Sequence, residues 1–177
     1  MINPTARDGF LVVLLTLAGL ASHALPHPMG VSSVGALGML AAAYLPRHLT
    51  MLPVLLTVLL VDAYNGFYGA LAMSFVYLGH LAGAMAVRPI LASIGMRSVA
   101  IAAVVSAVVF YLLSNLTPMA MGFYPNTLAG WTQCYINALP FLWKGIIANA
   151  IYGGLAFGLI TLIGTSDARR IFAAKRH

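Results

Sequence analysis

Six apolar runs, at 10–25, 31–45, 49–62, 69–87, 98–115 and 141–164, fill most of the 177-residue chain. A helix crossing a bilayer core needs roughly 20 apolar residues. A strand isolated in lipid would leave its backbone donors unpaired, so all six runs are predicted to be helices. Turn sequences separate them: Pro26-His27-Pro28, Pro46-Arg47-His48, Tyr64-Asn65-Gly66 and Arg88-Pro89. Residues are 62% hydrophobic and 7% charged, whereas a soluble domain is about a quarter charged. So little charge cannot cover a surface facing water. An ordinary soluble enzyme, a disordered tail and a secreted module are all excluded.

The predicted fold is an all-α integral membrane protein, one domain over 1–177. It is a six-helix bundle with an outer loop at 116–140 that carries a short amphipathic helix before the last span. That helix would place Leu128, Trp131, Tyr135 and Ala138 on one face. Basic residues set the topology. Arg7 precedes the first run, Arg47 separates the second and third, and Arg88 and Arg97 lie between the fourth and fifth. Arg169, Arg170, Lys175 and Arg176 follow the sixth, and the alternate connections hold no Lys or Arg. The positive-inside rule then puts both termini in the cytoplasm. Lys144, just inside the outer end of the sixth run, is the exception and is placed to snorkel.

Two alternatives bear on the span count. The second and third runs, 15 and 14 residues long, would also suit a re-entrant hairpin, which would bury Arg47 at a cost of about 2.5–3.5 kcal/mol. Arg7, the apolar stretch to Ala21 and the small pair Ser22/Ala24 also have the pattern of a cleavable leader. The net charge of +6 is scattered rather than gathered on one face, so no nucleic-acid partner is expected.

Catalytic motifs are missing: no Gly-x-Ser-x-Gly, no His-Glu-x-x-His, no phosphate-cradling glycine loop and no paired carboxylates. The acids are Asp8, Asp62 and Asp167 alone. The expectation is a non-enzyme without a cofactor, and one that cannot itself drive transport by nucleotide hydrolysis. The outer half instead collects polar and aromatic groups. Asp62, Asn115, Tyr124, Asn126, Trp131 and Lys144 are the candidate substrate-binding residues. Asp62 and Lys144 are a mutual ion pair, the charged floor or rim of a cavity, or both. His80, Gln133 and Asn149 suit hydrogen bonds to a ligand or to neighbouring helices. His23, His27 and Cys134 are the residues a divalent-metal permease would use, although one cysteine gives no thiol pair and no resident metal is expected. Small residues at helical spacing, Gly38/Ala42, Gly79/Gly83 and Gly154/Gly158, mark close helix packing or a docking face.

Two stretches carry a resemblance. One is Gly35-Ala36-Leu37 through Ala41-Ala42-Ala43-Tyr44-Leu45-Pro46-Arg47, continued by Asp62 and Asn65-Gly66-Phe67-Tyr68. The other is Tyr124-Pro125-Asn126-Thr127-Leu128-Ala129-Gly130, with Cys134-Tyr135 and Ala138-Leu139-Pro140-Phe141. Together they resemble an uncharacterised bacterial family, a domain of unknown function described as transport proteins. Members of that family look like the substrate-binding (S) components of energy-coupling factor transporters.

The resemblance implies a six-helix protein of the bacterial cytoplasmic membrane that binds a vitamin-like micronutrient from outside. It would then dock on a module of a coupling protein and ATPases. The chain departs from the family pattern at Asn149, near an acidic position, and at Leu116-Thr117, where a Val-Trp pair is usual. The leading expectation is uptake of a small organic micronutrient. The alternatives are an assembly subunit of a larger membrane complex and, behind it, the metal permease.

Overall fold

The computed structural model describes residues 3–24 and 31–163. The turn holding His27 and the basic tail with Arg169, Arg170, Lys175 and Arg176 lie outside the described residues. Among the described residues the chain is helical, with no strand. The helices are α1 (Pro4–Ala24), α2 (Val34–Tyr44), α3 (Met51–Asn65), α4 (Ala70–Ala86), α5 (Met96–Ser114), α6 (Leu116–Ala120) and α7 (Leu128–Ile163). Short 3-10 turns at Arg47–Leu49 and Ile90–Ala92 lead into α3 and towards α5. Each apolar run therefore contains a helix among its described residues.

Two helices run well past their apolar segments. α1 begins at Pro4, where a proline's missing N–H costs nothing because the first-turn donors have no intrahelical acceptor. Just ahead of it, Asn3 Oδ1 accepts from the Thr5 amide at 3.1 Å, a local cap. At the other end of the chain, the separate outer helix expected before Pro140 is absent. Residues 128–163 form one 36-residue helix with Pro140 inside it. Proline removes the bond to the carbonyl four residues back, here Ile136, but the helix continues on both sides. What remains of the predicted 116–140 loop is α6 and the short link at 121–127.

Four segments are long and apolar enough to cross a membrane: Thr5–Ala24, Arg47–Asn65, Met96–Ala120 and Leu128–Ile163. α2 and α4 are apolar but shorter. The exterior suits a lipid solvent. Leu17 is 58% exposed, Trp143 63% and Leu155 62%, and such a surface would drive association in water.

The centre of the bundle is α2. It packs against α1, α3, α4, α5 and α7, and Met39 and Ala41 on it are fully covered. At 11 residues it is about 16 Å long, roughly half the thickness of a bilayer core. Its last carbonyls therefore end inside protein and need donors. Arg88, from beyond α4, supplies them: Nη1 donates to Leu45 O at 2.9 Å and to Ala42 O at 3.2 Å, and it also donates to the Thr50 hydroxyl. Arg7 Nη2 donates to Tyr44 O at 3.3 Å, while its Nη1 pairs with Asp8 Oδ1 at 2.8 Å.

Two guanidinium groups thus sit at the negative end of the α2 dipole. Burial, and behind it the like charge of Arg47, lower the Arg88 pKa from its ordinary value. The acceptors around Arg88 compensate. Above this clamp a core forms from Leu11, Leu37, Met39, Tyr44, Val87 and Phe157 among others.

Small residues divide by partner. A Cβ added at Gly38 would lie 3.0 Å from Ala84 Cβ, and Ala42 is buried. At Gly79 it would lie 3.0 Å from the Phe110 ring, and at Gly83 3.2 Å from the Ser106 carbonyl. These positions bring α2, α4 and α5 into backbone contact. Gly154 and Gly158 meet nothing within 4 Å and face outwards.

Arg88→Met is expected to lower stability by about 2–3 kcal/mol, because buried carbonyls lose a charged donor. Thermal unfolding in mild detergent reads it as a lowered midpoint. Gly83→Leu is expected to destabilise by about 1–3 kcal/mol through overpacking. Gly158→Leu, with open space around it, should leave the midpoint unchanged in the same assay.

Candidate functional site

A cavity of about 410 Å³ lies among α2, α4, α5 and α7. Ser32 and Gly35 at the start of α2 form its floor, and His23 on α1 lies beside them. α4 contributes His80. α5 contributes a stripe from Ser106 to Asn115, and α7 contributes Ala138 to Asn149. The volume lies within the range of small-molecule sites, which are mostly apolar with a few converging polar groups.

Polar groups on this wall are held in two ways. Some are tied back to protein. The Tyr111 hydroxyl donates to Tyr135 O at 2.6 Å, and the two rings meet edge to face at 5.4 Å. Asn115 Nδ2 donates to Tyr111 O at 2.8 Å. Asn65 Nδ2 donates to His23 Nε2 at 3.3 Å, linking the cavity rim to the end of α3.

Others keep unused capacity. Asn149 is 4% exposed; its Nδ2 donates to Ala103 O at 3.2 Å, and its Oδ1 has no donor among the described residues. Ser106 is also 4% exposed, and its hydroxyl makes no hydrogen bond among them. The His80 ring stacks on Phe110, centroids 4.2 Å apart, and has no hydrogen-bond partner among them either.

Gly35 is what lets Asn149 into the floor. A Cβ there would lie 2.2 Å from Asn149 Oδ1, closer than any side chain tolerates. The α2 start is otherwise satisfied locally: Ser32 Oγ accepts from the Val34 amide at 3.2 Å, and the Ser22 and Ser33 hydroxyls pair.

Of the residues singled out from sequence, Asn115 lines the cavity, and so do His23, His80 and Asn149. Asp62 does not face Lys144. It accepts from the Tyr77 hydroxyl at 2.7 Å on the neighbouring α4. Lys144 is exposed on α7 and lies 5.6 Å from the centroid of the Phe141 ring.

Tyr124, Asn126 and Trp131 make a separate cluster at the base of the 121–127 link. Trp131 Nε1 donates to Asn126 Oδ1 at 2.9 Å, Asn137 Nδ2 to the Tyr124 hydroxyl at 3.1 Å, and Gln133 Nε2 to Asn137 Oδ1 at 2.7 Å. These bonds fasten the link to α7. Cys134 is buried behind α5, its Sγ 3.6 Å from Asn115 O. No group of three or more His, Cys, Asp or Glu is placed to hold a metal among the described residues.

Sequence reasoning missed Gly35, Ser106, Phe110 and Tyr111. A glycine between serines and an apolar run was the available signal for the first. The other three read as ordinary residues of an apolar helix.

No curated protein matches the chain, and no solved structure does. A family model does, over residues 4–171. The chain belongs to that family, a family of unknown function designated DUF6580.

Proposed function

We propose that this chain is a membrane-embedded capture protein that takes a small organic molecule into the α2–α4–α5–α7 cavity for uptake. The observation that carries the reading is the cavity itself: about 410 Å³, inside an apolar bundle, with hydrogen-bonding capacity on its wall that no described residue takes up. A bound molecule would take up that capacity.

The cavity lies at the end opposite the arginines that clamp α2. On the positive-inside rule that end faces out of the cell. The reading includes six membrane-traversing segments, α2 and α4 among them, both termini in the cytoplasm and residence in a bacterial cytoplasmic membrane. α2 is tolerated as a half-length segment because protein surrounds it on all sides. Without a nucleotide-hydrolysing motif, accumulation against a gradient would need a separate coupling and ATPase module, as in the S components that the sequence resembles.

A second reading, an assembly subunit of a larger membrane complex, draws on the outward-facing Gly154 and Gly158 of α7. It places the partner on that face and not on Gly79 or Gly83, which are used inside the bundle.

Native mass spectrometry of the protein purified from its own membrane separates the two. A stoichiometric organic adduct supports capture; a constant partner chain without an adduct supports assembly. His80→Leu and Ala107→Leu, both on the cavity wall, are expected to lower retention of that adduct about tenfold, or ~1.4 kcal/mol. Asp62→Asn, Lys144→Met and Trp131→Ala, which lie off it, are expected to leave retention within about twofold. The opposite ranking would move the site to the outer rim.

A further inference from the structure

We infer that the cavity selects an uncharged, flat molecule carrying a carbonyl and an N–H on one edge, as an amide or lactam does. This rests on the capture reading and names its substrate class. Ser106 and Asn149 read that edge. Each is more than nine-tenths buried and lines the cavity, and each offers the opposite half of a hydrogen-bond pair. The Ser106 hydroxyl has a hydrogen to give. Asn149 Oδ1 is fixed as an acceptor, because Nδ2 is committed to Ala103 O.

Ala103, which accepts from Asn149, and Ser106 are three apart on α5, and Ser106 and Asn149 both line the cavity. A ligand amide has its acceptor and donor side by side and can meet both. Phe110 and Phe141 supply apolar wall for a planar ring.

Charge is decided by what is missing from the wall. Among the described lining residues there is no Asp, Glu, Lys or Arg. An ion taken from water into an apolar interior needs a counter-charge to offset lost hydration. Apart from the His23 and His80 rings, the positive feature among the described lining residues is the start of α2, equivalent to about half an elementary charge. Asn149 Oδ1 already lies against it at Gly35. A carboxylate would meet that oxygen, and an ammonium would meet the helix terminus. A neutral amide meets neither penalty.

The test uses four ring compounds of similar size near neutral pH: benzamide, benzoate, benzylammonium and toluene. Each is titrated against the full chain in lipid nanodiscs by ligand-observed NMR, with empty nanodiscs as the blank. Benzamide is expected to bind at least about tenfold more tightly than either ion. Ser106→Ala and Asn149→Leu should each weaken benzamide by roughly fivefold to tenfold, the loss of one neutral hydrogen bond. Both should leave toluene unchanged, which also shows that the cavity is intact.

An ion binding as tightly as benzamide overturns the inference, as does a Ser106→Ala protein with undiminished benzamide affinity. The capture reading fails separately. An ionic adduct in native mass spectrometry would leave capture standing and remove the neutral-amide class. Selective benzamide binding by a protein that purifies without any adduct would do the reverse.

Discussion

Everything in this bundle is arranged around the end of one short helix. α2 is only about half as long as a bilayer core is thick, and its terminal carbonyls would be stranded without Arg88 and Arg7. An unsatisfied carbonyl in an apolar interior costs as much as a good hydrogen bond contributes. Guanidinium suits this position because one planar group reaches several oxygens at once. With the lower end of α2 secured, the helix can be surrounded completely. Its upper end then need not reach the far surface, and the space that it leaves is the cavity.

The same arrangement separates two kinds of polar group. At the clamp every donor and acceptor named above has a partner, and the result is rigid. On the cavity wall Ser106, His80 and one side of Asn149 are left with capacity. All three line one space, and no described residue takes up that capacity. That convergence gives the cavity more meaning than its volume alone.

Much of the fold was legible in the sequence because apolar length and turn chemistry suffice to locate helices in so apolar a chain. The runs at 69–87 and 98–115 match α4 and α5 to within two residues. Which side of each helix faces inwards was not legible. A helix that is apolar all round has no moment to orient it, so Gly79 and Gly158 look alike in sequence although one is packed and the other is open. The expected Asp62–Lys144 ion pair does not form, for the same reason. Scarcity of charge made them a natural pair, but α3 packs on α1, α2 and α4 while α7 packs chiefly on α5 and α2. The candidate site was half visible: Asn115, His80 and Asn149 stood out as polar, whereas Ser106 and Gly35 acquire a role only from their neighbours across the bundle.

Pro140 has a mechanical consequence. In a helix of 36 residues, the Ile136 carbonyl is the one that a proline deprives of its usual donor, so any bending of α7 concentrates at that level. Ala138 and Phe141 flank the same point and belong to the cavity wall. Above it, Tyr135 is bonded to α5 through the Tyr111 hydroxyl and its own hydroxyl to Leu112 O. Bending of α7 at that level would carry part of the cavity wall with it.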